Sequence, residues 1–235
     1  MSVSKPRVLF VLTSHSALGT SGKPTGWYLP EFAHPYHQLQ QVADITVASP
    51  AGGAAPVDPG SVESWKQDEV SSQFWERQSA LWKNTEKLSN FVGKAPDFAA
   101  IFYVGGHGPM YDLATDADSI QLIREFFESG KVVGAVCHGS AALVNVKLSD
   151  GSYLVADAEV TGFSNDEEDQ IGLSQFMPFM LETELNKISN GKYVKADRPW
   201  GECVAVSKGG RLITGQNPMS ATATGNALVN AVSKL

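Results

Sequence analysis

Short β-branched apolar runs alternate with amphipathic stretches along most of this chain. Arg7 to Thr13, Asp44 to Ser49, Ala99 to Val104 and Val132 to Val136 read as strands of a parallel sheet, the last apolar enough to be buried on both faces. Between them polar positions return with helical period. One such stretch is Trp27 to Gln41, where Pro35 requires either a kink or a helix start at His34. A second is the polar segment 63–91, and a third is Asp116 to Ser129, closed by Gly130. Within 63–91, Phe74, Leu81 and Leu88 recur every seven residues and Trp75 falls beside Trp82. An aromatic stripe of this kind is a packing face first, and a pocket cap or subunit contact second. Downstream the pattern gives a helix over Gln175 to Lys187 and short strands at Tyr193 to Lys195, Cys203 to Ser207 and Leu212 to Thr214. The last two form a hairpin through Gly209-Gly210. Asn217 caps a final helix that has Pro218 in its first turn and runs to Val232. With neither repeat nor linker, residues 1–235 read as one α/β domain, an open, mostly parallel sheet with helices on both faces and a helical insertion at 63–91.

The Val132 to Val136 strand runs straight into Cys137-His138-Gly139-Ser140 and a helix-forming stretch. Strand, tight turn and helix make a nucleophile elbow, with Cys137 raised clear of the sheet. A helix N-terminus beside the thiol is expected to lower its pKa, and the His138 backbone N–H is free to hold an oxyanion. The plainer reading, an inert buried cysteine, is the usual fate of a lone thiol. The histidine and glycine that follow it favour chemistry. Glu31 falls at the start of the helix after the first strand, on the carboxyl edge where open α/β sheets bind ligands. Gly105-Gly106-His107-Gly108-Pro109 ends the third strand and lets backbone N–H groups approach a ligand closely. The acidic run Asn165 to Asp169 reads by itself as solvated surface.

Composition removes several classes. A net charge of −7, a pI near 5.2 and no Lys/Arg cluster argue against nucleic acid and anionic membrane as partners. No apolar run reaches membrane-spanning length, and the opening Met-Ser-Val-Ser-Lys-Pro-Arg lacks a signal-peptide pattern. Cys137 and Cys203 are far apart in no metal-like spacing, so a reduced, cytoplasmic setting is expected. Ser233-Lys234-Leu235 matches the peroxisomal address and suggests a peroxisomal fraction in a eukaryote.

Four motifs stand in one order: Val104-Gly-Gly-His-Gly-Pro109, Ala135-Val-Cys-His-Gly139, Thr161-Gly-Phe-Ser-Asn165 and Leu212-Ile-Thr-Gly-Gln-Asn-Pro218. Together with an acidic residue after the first strand they resemble the ThiJ/PfpI superfamily, the class I glutamine-amidotransferase-like fold, over nearly the whole chain. Cys followed by His, Glu-x-x-His-Pro at 31–35 and the 63–91 insertion resemble its stress-protein branch, described as glutathione-independent glyoxalases (glyoxalase III) and heat-shock chaperones. The resemblance implies a flavodoxin-like fold and a lyase of the D-lactate dehydratase type. It implies Cys137 as nucleophile, His138 beside it, Glu31 at the thiol and Glu168 as third member. Gly106 and His138 match its backbone oxyanion donors, and His107 is placed in the pocket. Ser140 departs from the proline expected in that branch.

That chemistry is internally redox-neutral, so no cofactor and no metal are expected, and the partner is a small 2-oxoaldehyde acting on a homodimer. Glu31, if buried by the thiol, is expected to be protonated, because two anions in one low-dielectric site are costly. Either Glu31 or His138 could move the substrate proton. Rival readings remain open: a metal held by Glu31, His34 and His37, spaced along one helix face; a holdase or redox sensor using Cys137 and the 63–91 aromatics; and a deglycase or cysteine peptidase on the same fold.

Overall fold

The computed structural model describes residues 5–234. Its frame is a seven-stranded sheet. In chain order the strands are β1 (Arg7–Val11), β2 (Asp44–Ser49), β3 (Glu86–Lys87), β4 (Ala100–Tyr103), β5 (Val132–Val136), β6 (Val204–Ser207) and β7 (Leu212–Gly215). In space they lie β3-β2-β1-β4-β5-β7-β6, all parallel except the β6–β7 hairpin at one edge. Taken alone, β1, β2, β4, β5 and β7 have the flavodoxin order, in which the direction of winding switches between β1 and β4. The central strands β4, β5 and β7 are buried throughout, which is why their sequences show no polar face.

Adjacent side chains of β4 show how both faces are covered. Phe102 meets Phe10 at 5.0 Å between ring centroids, and Phe10 meets Phe32 of α1 (Leu29–Leu39) at 5.4 Å. The C-terminal α8 (Ala221–Val232) packs beside α1 on this face. Tyr103 points the other way, and its hydroxyl accepts a 3.0 Å hydrogen bond from Ser119 of α5 (Ala117–Glu128). Asp116 caps α5 by accepting from the Ser119 N–H at 2.8 Å.

Several elements differ from the sequence reading. Of the two alternatives for α1 the structure takes the first: the helix begins at Leu29, with Pro30 in its first turn, and carries Pro35 inside it, and it does not start at His34. The 63–91 insertion is a series of short pieces rather than long helices. They are α2 (Pro59–Ser64), α3 (Glu69–Arg77), α4 (Ala80–Lys83), strand β3 and a 3-10 turn at Leu88–Phe91. The Asp58 and Asp68 side chains accept from the N–H groups of Ser61 and Ser71, and so start α2 and α3 separately. The stripe does pack inward: Phe74 lies 4.7 Å from Phe32 and Trp82 lies 5.3 Å from Trp27, while Trp75 stacks on Trp82. The acidic run forms α6 (Asn165–Gln170), and α7 (Leu181–Ile188) starts only after a 3-10 turn at Ser174–Phe176 and Pro178. Tyr193 contributes one bridge to Val160 rather than a strand. Among the described residues no helix is long and apolar enough to cross a membrane. Ser233 and Lys234 are exposed, and Leu235 of the terminal tripeptide lies outside the described residues.

Candidate active site

The carboxyl ends of β1, β4 and β5 meet at the winding switch, and each is followed by residues of the expected site: Glu31, Gly106-His107 and Cys137-His138. Cys137 is the first residue beyond β5 and holds φ at 56°, a left-handed conformation costly for a residue with a Cβ. Its sulfur lies 3.4 Å from Nδ1 of His138. Nε2 of His138 lies 2.6 Å from Oε2 of Glu168, and the other Glu168 oxygen lies 3.0 Å from Nε2 of His107. A carboxylate between two ring nitrogens accepts from both, which fixes each histidine with its proton on Nε2. Nδ1 of His138 is then left as an acceptor facing the thiol. The two histidine rings sit 4.2 Å apart, and Phe163 covers His138 at 4.5 Å.

The position of Glu168 is prepared by its neighbour. Ser164 caps α6 in a capping box, in which its hydroxyl accepts from the Glu167 N–H and Glu167 accepts from the Ser164 N–H at 2.9 Å. Oε1 of Glu167 also accepts from the Trp200 N–H at 2.8 Å, Gln216 at 3.0 Å and Asn217 at 2.7 Å. Glu167 and Glu168 are buried, so for these two the reading of the run as solvated surface is corrected, Glu167 being a hydrogen-bonded hub. Asp166 and Asp169 are not buried, as that reading expects. Ser140, at the departure from the family pattern, donates to the Thr161 carbonyl at 3.0 Å and leaves the elbow intact.

Glu31 reaches the sulfur from the first turn of α1. It is fully buried, and neither carboxyl oxygen has a hydrogen-bond partner. Gly105 makes this approach possible, since a Cβ there would overlap the Glu31 carboxyl and crowd Cys137. Gly106 holds φ at 99°, with its far side against the Gly26 carbonyl, so that its N–H faces the Glu31 end of the site.

These surroundings set the charges. Burial pushes the Glu31 carboxyl well above the carboxylate range, against the pull of the Cys137 thiol and the Gly106 N–H. Burial also pushes the Cys137 thiol up, and the Glu31 charge adds to this, with the His138 N–H opposing. The expected fall in the thiol pKa is therefore not found. The segment after Cys137 is a 3-10 helix, Cys137–Leu143, and only the His138 N–H opposes the burial. At neutral pH the pair carries at most one negative charge. Burial alone would raise Glu168, but His138 and His107 hold it well below the usual range. Burial lowers His138, with the adjacent His107 ring acting in the same direction, so the imidazole is held neutral. Burial pushes the Tyr28 hydroxyl up to about 12, so it is a donor at any ordinary pH.

Glu31, His34 and His37 are not brought together. His34 lies 2.7 Å from the Thr222 hydroxyl and 2.9 Å from Asp68, His37 faces solvent, and Glu31 turns inward to Cys137. The donors that do cluster are His107, His138 and Glu168, within 4.8 Å of one another, and the hydrogen bonds among them already engage all three.

A cavity of about 90 Å³ opens over the sulfur, lined by Tyr28, Glu31, Gly106, His107, Cys137, His138, Phe163, Ile171, Trp200 and Pro218. Sequence reasoning missed Tyr28, Ile171 and Trp200 as walls. No motif marks them, and only the Ser164-x-x-Glu167 capping signal could have anchored the segment that carries Ile171.

A doubly wound α/β sheet with a cysteine elbow at its switch point defines a cysteine-centred, flavodoxin-like class. The chain matches the DJ-1/PfpI family over residues 31–231 and belongs to it. It is 28% identical to the glutathione-independent glyoxalase hsp3102 of Schizosaccharomyces pombe, over 99% of this chain and 100% of that one. The crystal structure of glyoxalase III from Candida albicans superposes with a TM-score of 0.86 at 26% identity, over 96% of this chain and 97% of that one. The Rapid Encystment Protein 24 KDa of Francisella tularensis superposes with a TM-score of 0.83 at 34% identity, over 97% and 99%. Full-length relatives named as glyoxalases mark the chain as an enzyme of this family.

Proposed function

We propose that this chain is a glutathione-independent glyoxalase, a lyase of the D-lactate dehydratase type. It converts methylglyoxal and related small 2-oxoaldehydes to 2-hydroxy acids through a covalent adduct on Cys137. The observation that carries this reading is a thiol joined through His138 to Glu168, with an unpartnered buried carboxyl on hand, under a cavity sized for a small aldehyde.

The chemistry follows from these positions. Nδ1 of His138 takes the thiol proton as sulfur bonds to the aldehyde carbon C1, whose π pair moves to oxygen. The backbone N–H groups of His138 and Gly106 stabilise that oxyanion, a donor of this kind being worth about 2.7–4 kcal/mol in the transition state. His138 then returns its proton to the oxygen and leaves a neutral hemithioacetal. Next His138 removes the C1 proton while protonated Glu31 gives its own to the C2 oxygen, forming an enediol. His138 delivers a proton to C2 and Glu31 takes the one on the C1 oxygen. The product is a lactyl thioester, with both groups restored. Water attacks C1, the S–C1 bond breaks and the thiol is regenerated. No electrons enter or leave, so the scheme calls for no redox cofactor.

Metal-free protein given methylglyoxal without glutathione is expected to release lactate. Cys137→Ser is expected to lose on the order of 10³-fold or more in kcat/KM with an unchanged melting curve. A serine variant that keeps most of its turnover sinks the thiol mechanism. The alternatives find less support. Phe74, Trp82 and Leu88, the surface a holdase would use, are turned into the core. A peptidase needs a long open cleft for an extended chain in place of this small cavity.

A further inference from the structure

Trp200 is not explained by packing. It is 39% exposed, yet its backbone holds φ at 63°, a conformation that suits glycine and strains tryptophan. Its N–H donates to Glu167 Oε1 at 2.8 Å, and its indole N–H donates to Gln170 Oε1 at 2.8 Å. The ring stands edge-on to Phe163 at 5.5 Å, and Phe163 in turn lies on His138. A continuous aromatic wall thus runs from His138 to solvent, pinned at both ends of the tryptophan, along one side of the cavity over Cys137. The ring cannot swing out without breaking its bond to Gln170 and its contact with Phe163.

We infer that Trp200 sets the upper size of the molecule that reaches Cys137. The site then admits the short dicarbonyls glyoxal and methylglyoxal and turns away those bearing a ring or a sugar chain. This deepens the glyoxalase reading and rests on it for the substrate class, but the gate itself can be read without turnover.

The first measurement is the rate of Cys137 alkylation, followed by mass spectrometry, with iodoacetamide as the small reagent and N-phenylmaleimide as the bulky one. Trp200→Ala is expected to raise the bulky-to-small rate ratio about tenfold, the scale of discrimination set by one apolar wall contact. Trp200→Phe, which keeps a ring, stays near wild type. Gln170→Ala, at an exposed position that tolerates change, frees the indole and raises the ratio by a smaller factor. The second measurement is initial-rate kcat/KM for methylglyoxal and phenylglyoxal, whose ratio is expected to shift toward phenylglyoxal in the same order of variants. Wild-type protein inactive on every dicarbonyl removes the glyoxalase reading, and the alkylation series still decides the gate. A bulky-to-small alkylation ratio that is the same in wild type, Trp200→Ala and Gln170→Ala overturns the inference.

Discussion

Glu31 and Glu168 approach the Cys137–His138 pair from different segments, α1 and α6, and both are buried. Glu168 is given two histidine N–H groups, one for each oxygen, and its pKa is held low. Glu31 forms no well-aligned hydrogen bond and has only the Cys137 thiol and the Gly106 N–H nearby, and burial drives its pKa up. One side chain type thus becomes a permanent anion in one place and a proton carrier in the other. Two carboxyls pushed apart in this way divide the work of a proton-transfer site, the low one orienting a base and the high one donating and recovering a proton. The difference also separates stability from function. A charge-assisted hydrogen bond contributes about 1.5–3 kcal/mol, whereas a buried group left unpaired costs about 1–3 kcal/mol. Glu168 helps to hold the fold, and Glu31 weakens it.

Glu31→Gln breaks the comparison at its functional end, since the amide cannot give up a proton and take it back. Lactate formation is expected to fall by about 10²- to 10⁴-fold, the usual share of positioned acid–base catalysis. Turnover close to wild type would assign the proton transfers to His138 alone. Glu168→Gln is expected to cost less, about 10- to 100-fold, below the full acid–base share because its part is to orient. An amide offers one acceptor and one donor to two N–H groups, so one histidine must change tautomer. If Glu168→Gln proves the more damaging of the two, the roles are reversed.

The same two variants are expected to move stability in opposite directions. Glu31→Gln should raise the melting temperature and Glu168→Gln should lower it, by about 2–4 °C per kcal/mol for a chain of this length. The pH dependence sharpens the contrast. A raised carboxyl favours the fold below its unfolded pKa of about 4.3 and loses that advantage as pH climbs to its folded value. The gain from Glu31→Gln should therefore be small near pH 4 and grow toward neutrality. A lowered carboxyl contributes fully above about 4.3 and loses its contribution as pH falls toward its folded value. The deficit of Glu168→Gln should accordingly shrink in acid. Melting curves from pH 3 to pH 8 test both, and parallel curves for the two variants would erase the distinction. The smallest effect concerns the insertion that backs α1: Asp68→Ala removes the α3 cap and the His34 contact, and should cost about 1 kcal/mol of stability while leaving kcat unchanged.

Much of this arrangement was legible in the chain. The runs at 44–49 and 132–136 match β2 and β5 to the residue; β5 is buried throughout and leaves an uninterrupted apolar signature, whereas β2 is buried only over its last three residues. The helix pattern from Asp116 to Ser129, closed by Gly130, bounded α5 nearly as well. Cys137, His138 and Glu31 stood out at strand ends, and Glu168 came from the family resemblance alone. What stayed hidden depended on contacts between distant segments. Glu167 looked like part of a solvated charge run because its partners Trp200, Gln216 and Asn217 lie far along the sequence. The thiol pKa was misjudged because an elbow motif does not reveal that a 3-10 turn follows it, or that an unpaired carboxyl sits against the sulfur. Pro35 inside α1 showed the limit of a local rule, since packing against α8 and α3 keeps the helix continuous across it.

The roll of cavity-lining residues has a consequence for durability. Among the described residues, no lysine or arginine lines the space above Cys137. Dicarbonyls condense with guanidinium and ammonium groups, so a site that stabilised its oxyanion with a cationic side chain would be consumed by the compound it processes. Under the proposed mechanism that duty falls to peptide N–H groups, which do not react, and the walls are phenolic, carboxyl, indole, imidazole and hydrocarbon. Under the proposed reaction the catalyst meets its own substrate with one reactive group, the sulfur, and every adduct formed there is one the mechanism resolves.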